Sequence, residues 1–528
     1  MLSRSIDMSI TRYALLVVVF ISTIILASAV PSSPAAAIAS DPKMFVSGDN
    51  TFYGYARAGE KISANFVKSS QVEPLGLGAH VITVSLEGPG LERQTCTINP
   101  TVATGAGCGF TDVIAPETGV YKIDFALPND ATVYDQVSPT VRWGRNMFSW
   151  NITIKDTADA AKAGRVWSEL YAIRQPIQPE FATDLLYYYM SEDGYLYRAT
   201  YKGYNGQIST LSADAFGIRQ NKTCRSAYQS IQVDDTKLSP SFGECGGSYK
   251  LFFEQPAGEL PQSAKRWDGK TEWVSPAINR PVIDGLKFDV NSSSDMQSGN
   301  ITYVLKNYIG QYDIKIDTND DGNFDATEDI KITHKIDKLT SDKQQIAFDG
   351  INGDGQPIPK SQKIRVKIDI ARVAEIHLVN ADVEGRTGGI ELVRLSGDNA
   401  PTYRVCWNDT QLRPIANKGL ETPKVDGREC PLSQGGVHGW AYGTDSWGDV
   451  RYIDNWIYAS ARVDGVAEIK YPSDQTEVAG VSVNRQQKQI IAFAVIGVVA
   501  VLAIIGAVVG VKIHNHRKLM KQFQPPKF

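Results

Sequence analysis

The chain is poor in the side chains that most enzyme chemistry needs. Its 528 residues hold six histidines, His80, His334, His377, His438, His514 and His516, scattered rather than clustered. No H-E-x-x-H helix, G-x-S-x-G elbow or glycine-rich phosphate loop occurs, so zinc peptidase, serine hydrolase and nucleotide-binding readings have no local support. Cysteine is equally sparse, and no C-x-x-C pair is present, which argues against thiolate metal sites. Helical periodicity is almost absent between the two ends. Excess positive charge is missing as well: residues 40–489 carry 47 basic side chains against 57 acidic ones, a net charge near −10 that disfavours nucleic acid and anionic membranes as partners. A glycan hydrolase, which needs only two convergent carboxylates, stays open.

Hydrophobic runs are present only at the ends. Arg4 and Arg12 precede an uncharged stretch from Tyr13 that becomes rich in small residues up to Ala39, the order of a secretory signal, and residues 1–39 are expected to be removed. The alternative is an uncleaved membrane helix, and in both cases the chain from residue 40 onward is exported. Residues 490–511 form an unbroken run of 22 apolar or small residues, long enough to cross a bilayer as a helix. The tail 512–528 holds Lys512, Arg517, Lys518, Lys521 and Lys527 and no acid, which places it in the cytoplasm. Gly506 and Gly510 form a G-x-x-x-G pair through which two such helices can associate.

Between the ends, short apolar runs alternate with turn residues. The expected fold class is mainly β: several consecutive Ig-like or β-sandwich domains in tandem plus one C-terminal transmembrane helix. About 450 residues exceed what one core supports. We place an N-terminal β-sandwich at 40–155, a Tyr-rich β-domain at 156–275, an Ig-like domain at 276–395, a Trp-rich β-domain at 396–475 and a linker at 476–489. The stretch from Lys155 to Trp167 reads as a helix-like boundary, and Asp193-Gly194 as a tight hairpin turn. The cysteines fall in three close couples, Cys96 with Cys108, Cys224 with Cys245 and Cys406 with Cys430. In an exported chain this clustering favours three local disulfides, although spacing alone leaves other pairings open.

The strongest local signal is DTNDDGNFDATE. It sets Asp317, Asn319, Asp321, Asn323 through its backbone, Asp325 and Glu328 at the ligand positions of a D-x-[DN]-x-[DN]-G calcium loop, with Gly322 at the bend. Its flanks read as strands, so the expectation is a calcium-stabilised hairpin in which Ca²⁺ is structural; an ion-free acidic turn is the alternative. A second turn with Asp349, Asn352 and Asp354 matches no ligand spacing, and tight turns account for it. Aromatic clusters offer a candidate ligand surface: Tyr195, Tyr197 and Tyr204 in one segment, Trp440, Trp447 and Trp456 with His438 in another, since flat rings stack on sugars or anchor protein contacts. The competing reading is that they fill sheets and cores, and Trp407, beside Cys406, looks structural. Five N-x-S/T sequons occur, at Asn151, Asn221, Asn291, Asn300 and Asn408.

At FDGINGDGQPIP, residues 348–359, the sequence resembles the (W/F)-D-G-x-x-x-x-G-x-x-(V/I)-P signature of hook-capping-type Ig-like domains, without the glycine that usually comes after the proline. With the calcium-type turn upstream and GGVHGWAYGTDSWGDVRYIDNWIY downstream, residues 160–460 look like the C-terminal half of large multi-domain bacterial, actinobacterial-type, cell-surface adhesin-like proteins. No L-P-x-T-G sortase signal precedes the apolar run. The resemblance implies a non-enzymatic surface protein that binds a protein or glycan on another cell or surface, sits in the cell membrane through its own helix and binds no nucleic acid. A structural, surface-layer-like envelope component and a surface glycan hydrolase are the alternatives.

Overall fold

The alternating apolar runs do form strands, and among the described residues no helix is present. The computed structural model describes residues 38–39, 50–68, 81–99, 103–126, 148–174, 182–206, 208–413, 424–442, 448–460 and 466–471. The signal segment before residue 38, the linker 476–489, the apolar run 490–511 with Gly506 and Gly510, the basic tail and Trp447 lie outside them. Among the described residues no helix is long and apolar enough to cross a membrane. Ile38 and Ala39, expected to fall within the removed segment, pair antiparallel with Ile152 and Asn151.

The chain divides into two compact units. Among the described residues the large one takes those up to 279, 337–339 and those of 374–459; the small one takes 280–336, 340–373, 460 and 466–471. The chain therefore visits each unit more than once, passing between them at 279/280, 336/337, 339/340, 373/374 and 459/460. Pairing across long sequence separations is the reason. One ten-stranded antiparallel sheet of the large unit runs, edge to edge, through 402–403, 385–394, 196–205, 183–190, 250–252, 166–168, 50–56, 119–126, 82–88 and 91–98. Phe52 pairs with Ser168 and Tyr197 with Arg394, so strands from every expected domain of this unit hydrogen-bond in a single ladder. Period-2 alternation reveals a strand but not its neighbour.

The helix-like stretch is corrected. The Asp156 carboxylate accepts the N–H groups of Ala158 and Ala160 at 2.9 Å each, which closes a turn, and Val166–Ser168 is a strand. Local side-chain hydrogen bonds of this kind compete with helix formation. A hairpin forms at Asp193-Gly194, but Met190 stands opposite Leu196 with residues 191–195 between them, and of the pair only Gly194 takes a positive φ, 91°.

A four-stranded sheet holds Ile38–Ala39, Phe148–Lys155, Lys61–Lys68 and Gly107–Ile114, and a five-stranded one holds Leu170–Arg174, Ile208–Asp214, Arg372–Val383, Gly448–Ser460 and Ile231–Gln232. All three expected disulfides are present. Cys96–Cys108 ties the edge strand of the ten-stranded sheet to the edge strand of the four-stranded one. Aromatic rings fill much of this core: Phe52, Trp150, Tyr171 and Tyr187 pack against Phe253 with centroids 4.8–6.0 Å apart. The small unit pairs a three-stranded sheet (Val282–Val290, Gly299–Lys306, Lys343–Phe348) with a four-stranded one (Ile330–Ile336, Gly310–Asp317, Ile364–Asp369, Val466–Tyr471). Its core is almost wholly aliphatic and aromatic, drawing Phe288, Ile301 and Leu305 from the first and Ile314, Ile316, Val366 and Ile368 from the second.

Candidate functional site

Two clusters of acidic side chains stand out, one in each unit. In the small unit the strand Gly310–Asp317 delivers Asp317, fully buried, to the mouth of the loop, and Ile330 re-enters opposite Ile316. Asp317 accepts the N–H groups of Asn319 at 3.2 Å and Gly322 at 2.8 Å. The pattern then repeats every second residue: Asn319 accepts from Asp321, Asp321 from Asn323 and Asn323 from Asp325, at 3.0, 2.7 and 3.1 Å. Successive Asx turns curl the backbone so that alternate oxygens share one side. Gly322 takes φ 85°, which only glycine adopts without strain.

The Asn319 amide donates to Asp321 at 3.3 Å and to Glu328 at 3.0 Å, so its hydrogens join two carboxylates as a cation would. Asp325 departs from this set: it is three-quarters exposed and turns to Lys315 at 2.7 Å, and that hydrogen bond holds its carboxyl below the usual range. Arg365 reaches Asp320 at 2.5 Å and lies 3.7 Å from Asp317. The second turn packs directly on the loop exit, where the Gly353 N–H donates to the Glu328 carbonyl at 2.7 Å. Asp349 and Asn352 there accept backbone N–H groups, as tight turns do. The all-oxygen donor set suits a hard cation such as Ca²⁺. Among the described residues no three His, Cys, Asp or Glu side chains stand close enough together to share a metal ion.

The large unit holds a buried charge network assembled from across 225 positions of sequence. His377 and Asp454 are both fully buried and 2.9 Å apart, with Glu375 3.6 Å from the other imidazole nitrogen. The Asp454 N–H donates to Ser230 Oγ at 3.1 Å, and Ser230 Oγ donates to Asp409 at 2.7 Å. Asp409 lies 2.7 Å from His438 Nε2. The Arg386 guanidinium then donates to the His438 carbonyl at 2.9 Å and to Asn455 at 3.0 Å, while stacking 4.6 Å above Trp440. Trp407 lies flat on the His438 ring at 4.6 Å, and Trp456 on His377 at 5.6 Å.

The two histidines titrate in opposite directions. Burial opposes a charge on His377 most strongly, yet Asp454 and Glu375 together outweigh it and raise the imidazole to about 10. His438 is held below its ordinary value by burial, which Asp409 only partly offsets while Arg386 adds to it. Burial raises Asp454 despite His377, and it lowers Arg386 to about 10. Ser230, Asp409 and His438 are the residue types of a hydrolytic triad, but the serine bonds to the aspartate instead of the imidazole. Nucleophile activation requires the serine–histidine contact.

The candidate ligand surface is corrected by burial. Tyr195, Tyr197, Tyr204, Trp440, Trp456 and His438 are all buried, so none presents a ring face to a ligand from solvent. Tyr197 donates to the Ala374 carbonyl at 2.7 Å, Trp456 packs on the Cys406–Cys430 disulfide, and Trp407 donates to the Lys424 carbonyl at 2.9 Å. Along Leu196–Asn205 the buried Tyr197, Ala199 and Tyr201 alternate with half-buried residues, and sequence periodicity does not reveal which face of a strand is the covered one. Ser230, Glu375, His377, Arg386, Asp409 and Asp454 escaped the sequence reading because no short spacing joins them. The available hint was a charged residue inside an apolar strand, His377 in EIHLV and Asp454 in YIDNWI, which implies a buried partner. No protein-family model, curated protein or solved structure matches the chain.

Proposed function

We propose that this chain is a single-pass, membrane-anchored surface protein whose extracellular β-units act by recognition, with adhesion to a protein or glycan on another cell or surface as its role. The observation that carries this reading is the order of segments: an export-type leader, cysteines paired into three local disulfides, then a 22-residue apolar run and, after it, a tail with basic but no acidic residues. The three-plus-four strand arrangement of the small unit supports its Ig-like reading. In this reading Ca²⁺ is a structural cofactor. Asp317, Asn319, Asp321, Glu328 and the Asn323 backbone would hold it, neutralising a cluster that otherwise relies on the Asn319 amide and Arg365, and stiffening the hairpin.

The test is display of the full chain on non-adherent cells, then retention under flow on protein- and glycan-coated surfaces. Retention above the vector control on at least one coating is expected. Retention equal to the control on all of them sinks the adhesive role, and ordered self-assembly on the displaying cells would replace it with the envelope-component reading.

A further inference from the structure

The five N-x-S/T sequons are indistinguishable in sequence but not in space. At Asn221-Lys222-Thr223 all three residues are exposed, in a turn that comes directly after the strand Ile218–Gln220 and in which Lys222 takes φ 61°. The neighbouring Cys224–Cys245 disulfide anchors that turn. The Asn221 amide uses one hydrogen to reach the Thr236 carbonyl at 2.6 Å and has a second. At Asn291-Ser292-Ser293 all three residues are again exposed, directly after the strand Val282–Val290, and Asn291 Oδ1 accepts the Ser293 N–H at 3.1 Å. That bond engages the amide oxygen and not the Nδ2 hydrogens.

The other three are closed. Asn408 is buried and donates to the Tyr228 carbonyl at 3.3 Å beside the charge network. Asn151 and Asn300 lie in strands paired on both sides, and the hydroxyl-bearing residues of their sequons, Thr153 and Thr302, are buried. A glycan is bulky and hydrated, and its transfer requires the asparagine and the hydroxyl together on an accessible surface loop.

We infer that Asn221 and Asn291 are N-glycosylation sites, modified by an oligosaccharide carried on a lipid diphosphate. Nδ2 attacks C1 of the first sugar. The N–C1 bond forms as the C1–O bond to the diphosphate breaks, the lipid diphosphate leaves with that electron pair, and the amide gives up one proton. This rests on the proposed export of residues 40–489, because such donors serve the exported side of the membrane. One hydrated chain on each unit would keep the flanking surface soluble and turn any adhesive contact towards other faces.

The test is glycopeptide mass spectrometry of the full chain isolated from its native membranes, after labelling of intact cells with a membrane-impermeant amine reagent. A labelled chain with sugar mass on the Asn221 and Asn291 peptides and none on the Asn408 peptide is the expected result; Asn221→Gln and Asn291→Gln should each remove one mobility step, and Thr223→Ser should keep it. A labelled chain bare at both sites, or carrying sugar only at Asn151, Asn300 or Asn408, overturns the assignment while leaving export intact. A chain that the reagent does not reach overturns both. The wild-type spectrum decides the matter even if a variant fails to fold.

Discussion

The loop at 317–328 and the network around His377 and His438 both gather carboxylates, but they neutralise them in opposite ways. The loop does so locally. Its oxygens accept backbone N–H groups two residues on, beside a core that is hydrocarbon. The network does so at long range. Its carboxylates are sealed inside the large unit and meet imidazoles contributed by distant strands. The difference teaches where each unit is vulnerable: the small one to changes within its own loop, the large one to loss of any single internal partner.

The largest break expected is Asp454→Ala. It leaves the His377 charge buried with only Glu375 near it and removes the carboxylate that accepts the Ile218 N–H, and orphaning one member of a buried pair costs about 3–5 kcal/mol. All nine tryptophans fall within the sequence ranges of the large unit, so denaturant unfolding monitored by tryptophan fluorescence reports that unit. A loss below ~1 kcal/mol would mean that the network holds nothing together. Next in size is removal of the Cys406–Cys430 bridge, which closes a loop of 24 residues and packs against Trp456. Replacing both cysteines by alanine should cost about 3 kcal/mol in the same measurement.

A smaller, pH-dependent effect separates the two histidines. The folded value of His377 lies above its unfolded one, so the stability it contributes is complete below pH 6.5 and fades as the pH rises towards 10. His438 is lowered on folding, so its contribution is complete above pH 6.5 and fades as the pH falls below that. Melting temperature against pH should therefore slope down on both flanks. His377→Gln should flatten the alkaline flank and His438→Gln the acid one, and unchanged flanks in both variants would show that other groups set the profile.

How much of this is legible in sequence depends on the range of each interaction. The 317–328 loop, the three disulfides and the Asp193-Gly194 hairpin join residues close along the chain, so the loop and the hairpin show in spacing and the disulfides are favoured by the clustering of the cysteines. The unit boundaries stay hidden, because Gly385–Arg394 pairs with Leu196–Asn205 across nearly 190 positions and nothing local announces a return to an earlier sheet. The tyrosines of 187–204 are recognisable as strand residues but not as interior ones. Their burial depends on layers supplied by other parts of the chain, such as Phe253 against Tyr187 and Ala374 above Tyr197.

The finest distinction lies within the loop itself, where six positions fit the calcium pattern and the structure separates one of them. At a calcium concentration ten times the dissociation constant, binding to the folded state alone stabilises by ~1.4 kcal/mol, which for a unit of this size raises the melting temperature by roughly 6–11 °C. Calorimetry should show that rise in millimolar calcium, while tryptophan fluorescence, blind to the small unit, should not. Asp317→Ala and Glu328→Ala should abolish it, because Asp317 is buried at the mouth of the loop and Glu328 is already joined to Asn319. Asp325→Ala should leave most of it, since that carboxylate turns outward to Lys315. Equal loss in all three variants would mean that calcium swings Asp325 inward and breaks the Lys315 pair. No rise in the parent would return the loop to an acidic turn held by its own amide and Arg365.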